Sequence, residues 1–237
     1  MHNPIIFFGD KKCATRPVTR PGELSMADEP FATLKRAQGF NEILFPYQVH
    51  GTAGMVIDAD AVNALEPFTH EADWIITNLS GVGVGILTAD CVPILLYDPV
   101  NKAIGAVHAG WRGAVEGVVV KALESMRIAF GTQAHDLHAW IGPHARACCY
   151  RVDEQFHDIV MQKKYGKAAW HCTDNLLFFD LSACCREQLM QAGVQMIQVT
   201  DTNICTICDP SYCSYRREKE AAKRNIAIIG LSTISVS

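Results

Sequence analysis

Long apolar runs are missing from this chain. The first, Ile5–Phe8, ends before Asp10, too short for the apolar core of a secretory signal, and none farther on is long enough to cross a bilayer as a helix. The expected compartment is therefore the cytoplasm, with no membrane partner. Charge of one sign is scarce too: 21 Lys and Arg stand against 25 Asp and Glu, for a net charge of −4. With no basic tract, general nucleic-acid binding is excluded, although a few converging arginines could still hold an anion. There is no internal repeat and no low-complexity linker, so residues 1–237 are expected to form one domain. The nine histidines include no His-X-His pair, the nearest being His135 and His138, which argues against a multicopper oxidase.

What is present is core-forming material and sulfur. Hydrophobic residues make up 49% of the chain and charged residues 19%, enough for a substantial buried core. Ten cysteines are many; in a reducing compartment most are expected to be packed thiols, with a few as metal ligands. The vicinal pairs Cys148-Cys149 and Cys184-Cys185 are poorly placed for a disulfide within the pair. Cys205-Thr206-Ile207-Cys208, with Cys213 nearby, has the spacing of half a zinc ribbon, but no second pair follows it.

The pattern predicts strands over 4–9, 43–50, 54–58, 73–77, 83–89, 92–97, 103–108, 137–141, 194–199 and 225–229. Helices are predicted over 30–38, capped by Asp28 and stopped by Gly39, and over 115–130, 153–165 and 181–191. Strands come in blocks rather than alternating with helices. The expected class is therefore α+β, with mixed or antiparallel sheets flanked by helices.

The chemistry concentrates around Cys91 and His108. Between them runs VPILLYDPVNKAIGAV, a strand, a turn and a strand. A turn centred on Pro99-Val100 would set Cys91 directly opposite His108, with Cβ atoms about 4.5–5.5 Å apart on one face. A thiolate and an imidazole so placed can hold one metal ion. Asp90 precedes the cysteine. His108 leads into Ala109-Gly110-Trp111-Arg112-Gly113, where a helix start with an arginine suits an anion. Two His and one Cys with an open position is a catalytic zinc pattern; His50, His70 and His144 all qualify as the third ligand.

Gln48-Val49-His50-Gly51, Thr88-Ala89-Asp90-Cys91-Val92-Pro93, Val107 to Gly113, Ile141-Gly142-Pro143 followed by Cys148-Cys149-Tyr150, and Ser214-Tyr215-Arg216-Arg217 occur in this order. From about residue 40 onward the chain resembles the purine nucleoside phosphorylase family once described as polyphenol oxidases or laccase-domain proteins. The resemblance implies a fold similar to the cysteine-dependent toxin deamidases and a zinc site of His50, Cys91 and His108. It also implies phosphorolysis of adenosine, inosine, guanosine and S-methyl-5'-thioadenosine, with adenosine deaminase as a further activity. The chain departs from the family pattern in four places. No Gly-Gly follows Arg16 or Arg20, Arg151 stands where an acid is common, Cys213 replaces an aromatic, and no Gly-Arg pair follows Arg217.

On that basis Arg112 with Arg216 or Arg217 are the expected phosphate ligands, and Arg16 or Arg20 would close over them. Asp90 or Asp73 would move protons, and Asn78 would hold a base or sugar hydroxyl. The expected partners are purine nucleosides and phosphate, and the chain is a monomer or a homodimer. Two rivals use the same residues. One is a cysteine or zinc amidase of the peptidoglycan-editing kind, with Cys91 as nucleophile and His108 as base. The other is a copper-dependent polyphenol oxidase, since a two-His-one-Cys site also attracts copper.

Overall fold

In the computed structural model, which describes residues 3–167 and 169–231, the apolar strand runs stack as two sheets. In chain order the strands are β1 (Ile5–Phe8), β2 (Glu42–Leu44), β3 (Gly54–Ile57), β4 (Trp74–Thr77), β5 (Val82–Thr88), β6 (Val92–Asp98), β7 (Ala103–Ala109), β8 (His138–Ile141), β9 (Arg151–Val152), β10 (Trp170–Thr173), β11 (Leu176–Phe179), β12 (Val199–Asp201) and β13 (Asn225–Gly230). The helices are α1 (Phe31–Gln38), α2 (Trp111–Glu116), α3 (Val118–Phe130), α4 (Glu154–Met161), α5 (Leu181–Gln191) and α6 (Tyr215–Glu218).

One sheet runs β12-β8-β6-β7-β4-β3 and the other β1-β13-β5-β2, with a small third sheet, β10-β11-β9. Parallel pairs (β3 with β4, β2 with β5, β8 with β12) sit beside antiparallel ones, so the molecule is α+β with mixed sheets. The two large sheets face each other. Leu95, Tyr97, Ile104 and Ala106 of one pack against Val84, Ile86, Ala227 and Ile229 of the other. The alternate residues Ile94, Leu96 and Val107 point the other way, onto α3 and α5. Ile43, Leu87, Ile226 and Ile228 cover α1 and the Phe31, Phe45 and Phe68 cluster. Both faces of the central strands are thus buried, which is why β6 reads as a continuous apolar run instead of an alternation. No helix of the described residues is long and apolar enough to cross a membrane.

Several expected boundaries move for local reasons. The helix expected over 115–130 is two helices, broken at Gly117, whose φ of 96° is open to glycine and whose N–H caps α2. The strand expected over 43–50 ends at Leu44, ahead of Pro46. Beyond it the Gln48 side chain takes over the pairing, giving its amide N–H to Leu87 O and accepting from Leu87 N, each at 2.8 Å. Residues 196–198 form a 3-10 turn, leaving only Val199–Asp201 as strand. Asp28 meets α1 through its backbone carbonyl, which accepts from Phe31 N at 3.0 Å, while its carboxylate is spent on Ser25 N.

Candidate metal centre and active site

The β6–β7 hairpin sets the centre of the site. Its register pairs Val92 with Ala109 and Pro93 with His108. Cys91 is therefore one diagonal step from His108, not directly opposite it. The turn is longer than expected, and the resulting two-residue shift keeps both side chains on one face because side-chain direction repeats every two residues. His50 arrives from the β2–β3 connection with φ 62°. Its ring meets that of His108 edge-on, centroids 4.8 Å apart. One ligand atom each from His50, Cys91 and His108 lie within 4.8 Å of one another.

Asp73 organises His50 and His108 from beneath. Its buried Oδ1 accepts from His50 N at 2.9 Å and pairs with His108 Nδ1 at 2.7 Å, while Oδ2 accepts from Gly51 N at 2.6 Å. Holding Nδ1 this way aims the other ring nitrogen of His108 outward, the arrangement of a metal-ligating histidine backed by a carboxylate. Burial works against the Asp73 carboxylate, but the His108 hydrogen bond and charge and the two amides hold its pKa below the usual value. Burial likewise opposes a Cys91 thiolate; the charge and hydrogen bonds of His108, then of His50, bring it down to about 6. His108 is raised to about 9, because the Cys91 charge and Asp73 outweigh burial. A thiolate beside two imidazoles is a donor set that suits zinc.

Two glycines of the His108–Gly113 segment let the parts approach. A Cβ on Gly110 would lie 2.7 Å from the His50 ring, and one on Gly113 would lie 2.5 Å from the Gly51 carbonyl oxygen.

His50, Cys91 and His108 line a cavity of about 350 Å³, within the size range of small-molecule sites, roughly 300–1,000 Å³. Leu87, Trp111, Tyr150 and Leu181 supply apolar and aromatic wall, and Arg216 and Arg224 supply positive charge. Arg216 lies over the Tyr150 ring at 4.6 Å. Asp90 (φ 88°) also borders the cavity. Its carboxylate is engaged by Thr206 Oγ1 at 2.7 Å and Arg216 N at 2.6 Å, tying the cysteine loop to the start of α6.

Other expected residues are placed differently. Arg217 turns away from the cavity and donates to the carbonyls of Thr206, Ile207, Asp209 and Tyr212. Arg112 is exposed, 4.5 Å from the Trp111 ring centroid, outside the cavity lining. Arg16 is paired with Glu23, and it is the nearby Val18 that reaches the wall. Asn78 follows Thr77, the end of β4 opposite to Asp73. Asp73 faces the histidines and does not line the cavity. His70 bonds to Thr69, and His144 is buried against Gly142 O. Tyr150 and Arg224 were missed as cavity residues. Tyr150 lay in a quoted motif, and the signal for Arg224 is that Lys223-Arg224-Asn225 stands near the place of the missing Gly-Arg pair.

Across residues 26–232 the chain matches the family model described as Multi-copper polyphenol oxidoreductase laccase. It is 34% identical over 199 residues to a purine nucleoside phosphorylase of Aquifex aeolicus (strain VF5), covering 82% of this chain and 86% of that one. To a purine nucleoside phosphorylase of Xylella fastidiosa (strain 9a5c) it is 32% identical over 179 residues, covering 74% and 67%. The fold matches the crystal structure of Bacillus licheniformis hypothetical protein YfiH with a TM-score of 0.81 at 23% identity, over 97% of this chain and 93% of that one. It matches YlmD from Geobacillus stearothermophilus at 0.80 and 24%, over 97% and 92%.

Proposed function

The chain belongs to the purine nucleoside phosphorylase family whose model carries the laccase description, and on that premise we propose that it performs phosphorolysis of purine nucleosides in the cavity at His50, Cys91 and His108. One observation carries the reading: the three ligand atoms, two arginines and an aromatic wall converge on one nucleoside-sized cavity. Adenosine, inosine, guanosine and S-methyl-5'-thioadenosine are the proposed substrates.

Phosphorolysis breaks the glycosidic C–N bond, joins a phosphate oxygen to the anomeric carbon and leaves electron density on the departing base. Arg216 and Arg224 are the proposed phosphate ligands, since guanidinium forks match phosphate oxygens. Leu87, Trp111 and Tyr150 would hold the nucleoside and exclude water. Asp90, with both carboxylate oxygens occupied, is a positioning residue for Cys91 and Arg216. Asp73 takes the same part for the histidines.

Zinc is the proposed metal, held by His50, Cys91 and His108. When bound it supplies Lewis acidity and a water of lowered pKa, the property on which adenosine deamination as a side activity would draw. Copper fits the same donors, so metal analysis distinguishes the two. The direct test is adenosine with inorganic phosphate, expected to yield adenine and ribose 1-phosphate. Zinc-loaded protein giving no phosphate-dependent product from any of the four nucleosides refutes the reading.

A second reading has its own observation. Cys91, His108 and Asp73 form a thiolate, imidazole and carboxylate chain like that of a cysteine hydrolase. Stoichiometric zinc bonded to Cys91 and His108 counts against it, because the metal neutralises the thiolate charge and takes up the His108 nitrogen that would act as base.

A further inference from the structure

Spacing alone points to packed thiols for most cysteines, with Cys205 and Cys208 a half-site lacking a partner pair. The fold supplies the partner. Cys148 and Cys149 come onto the Cys205–Cys208 turn, and the four sulfurs lie within 4.8 Å of one another. Cys149 Sγ is 3.0 Å from Cys208 Sγ, and Cys148 Sγ is 3.6 Å from it. We propose that Cys148, Cys149, Cys205 and Cys208 form a second metal site, a tetrathiolate that binds one zinc ion.

The distances favour a shared ion over the alternatives. A disulfide needs its sulfurs about 2.05 Å apart. Four thiolates around one zinc, with bonds of about 2.3 Å, stand about 3.8 Å from one another; the Cys148–Cys208 separation of 3.6 Å is close to that value, and all four sulfurs lie within 4.8 Å. A multi-iron cluster with bridging sulfides would hold its cysteines farther apart. The local backbone is also shaped for a ligating thiolate. Cys205 Sγ accepts the amide N–H groups of Ile207 and Cys208, two and three residues on, and of Arg146 from the facing loop. Such outer hydrogen bonds are what orient and stabilise metal-bound sulfur. Arg217 holds the same turn from below through Thr206 O and Ile207 O.

The location gives the ion a structural task. It would clamp the loop ending in Tyr150 to the turn carrying Thr206. Both reach the first site: Tyr150 lines the cavity, Thr206 bonds to Asp90 Oδ1, and Ala145 N donates to Asp90 O at 2.9 Å. The clamp stands whether or not the first site is a phosphorylase.

The experiment is metal analysis of the holoprotein purified under reducing conditions, with X-ray absorption at the zinc edge. Wild-type protein should carry two zinc ions per chain. The His50→Ala/Cys91→Ser variant, which leaves the four cysteines intact, should carry one, with an all-sulfur shell. Cys205→Ser/Cys208→Ser should also carry one, with nitrogen in its shell. Because that variant could fail to fold, the His50→Ala/Cys91→Ser spectrum is the deciding measurement. Metal-free His50→Ala/Cys91→Ser protein, a shell of nitrogen or oxygen in it, or a Cys149–Cys208 disulfide found by mass spectrometry would each overturn the proposal.

Discussion

Replacing Asp73 with Asn tests how the first centre is held. The native carboxylate is fully buried and satisfies three donors: His50 N, His108 Nδ1 and Gly51 N. An amide offers one acceptor oxygen and two N–H donors. Its less costly orientation keeps the oxygen toward His50 and His108 and turns the amide N–H toward Gly51 N–H. One short charge-assisted bond of 2.6 Å is then replaced by two donors facing each other. Losing such a bond in a buried place costs about 1.5–3 kcal/mol. For a chain of this length that lowers the melting temperature of metal-free protein by about 3–12 °C. The neutral amide also removes the negative charge behind His108, so zinc affinity should fall about 10–100-fold, as it does when a partner behind a metal-ligating histidine is lost. Differential scanning fluorimetry of metal-free protein reads the first effect, and competition with a zinc chelator reads the second. A variant that melts earlier yet binds zinc as tightly as wild type would show that Asp73 shapes only the His50 loop. One unchanged in both would refute the argument altogether.

Four further outcomes follow from the geometry. Arg216→Ala should raise the KM for phosphate roughly 10–100-fold, the loss of one charged hydrogen bond, beside a modest fall in melting temperature from the lost Arg151 O bond and Tyr150 contact; steady-state kinetics at varied phosphate checks it. Arg217→Ala should instead destabilise the chain by about 2–4 kcal/mol by stripping a guanidinium from four backbone carbonyls, measured by urea unfolding. Gly113→Ala should cost about 1–3 kcal/mol and lower zinc content, because the new methyl meets Gly51 O at 2.5 Å; a normal melting curve with full metal would contradict it. Asp98 is buried, which pushes its carboxyl up, but the Asn101 side chain and the Asn101 and Val100 amides hold it below its ordinary value of 3.8. Its stabilisation is therefore complete above that value and is lost as pH falls through the folded-state value. Urea midpoints for Asp98→Asn should consequently show a weaker acid decline than wild type.

The strands of the core were legible because their apolar runs are long and bounded by turn residues: β5, β6, β7 and β13 lie within a residue or two of expectation. The hairpin β10–β11 was not, since half-buried Trp170 and the exposed His171 to Thr173 carry no alternation. Segments that owe their form to distant partners were equally silent. The Gln48 pairing with Leu87 joins positions 39 residues apart, and no local pattern announces it.

Within the candidate site the division is the same. Cys91 and His108 could be paired from the chain alone, because a hairpin converts short sequence separation into proximity, and even a two-residue shift in register spares the face. Which residue types gather was thus written in the sequence. Arginine direction was not. Arg216 and Arg217 are neighbours on a four-residue helix, yet one borders the cavity and the other binds carbonyls beneath it. Helical phase at so short an element is decided by what packs around it. The same holds for sulfur: Cys148 and Cys149 meet Cys205 and Cys208 only because β8 and β12, far apart in the chain, pair in parallel and deliver the two turns that follow to one place.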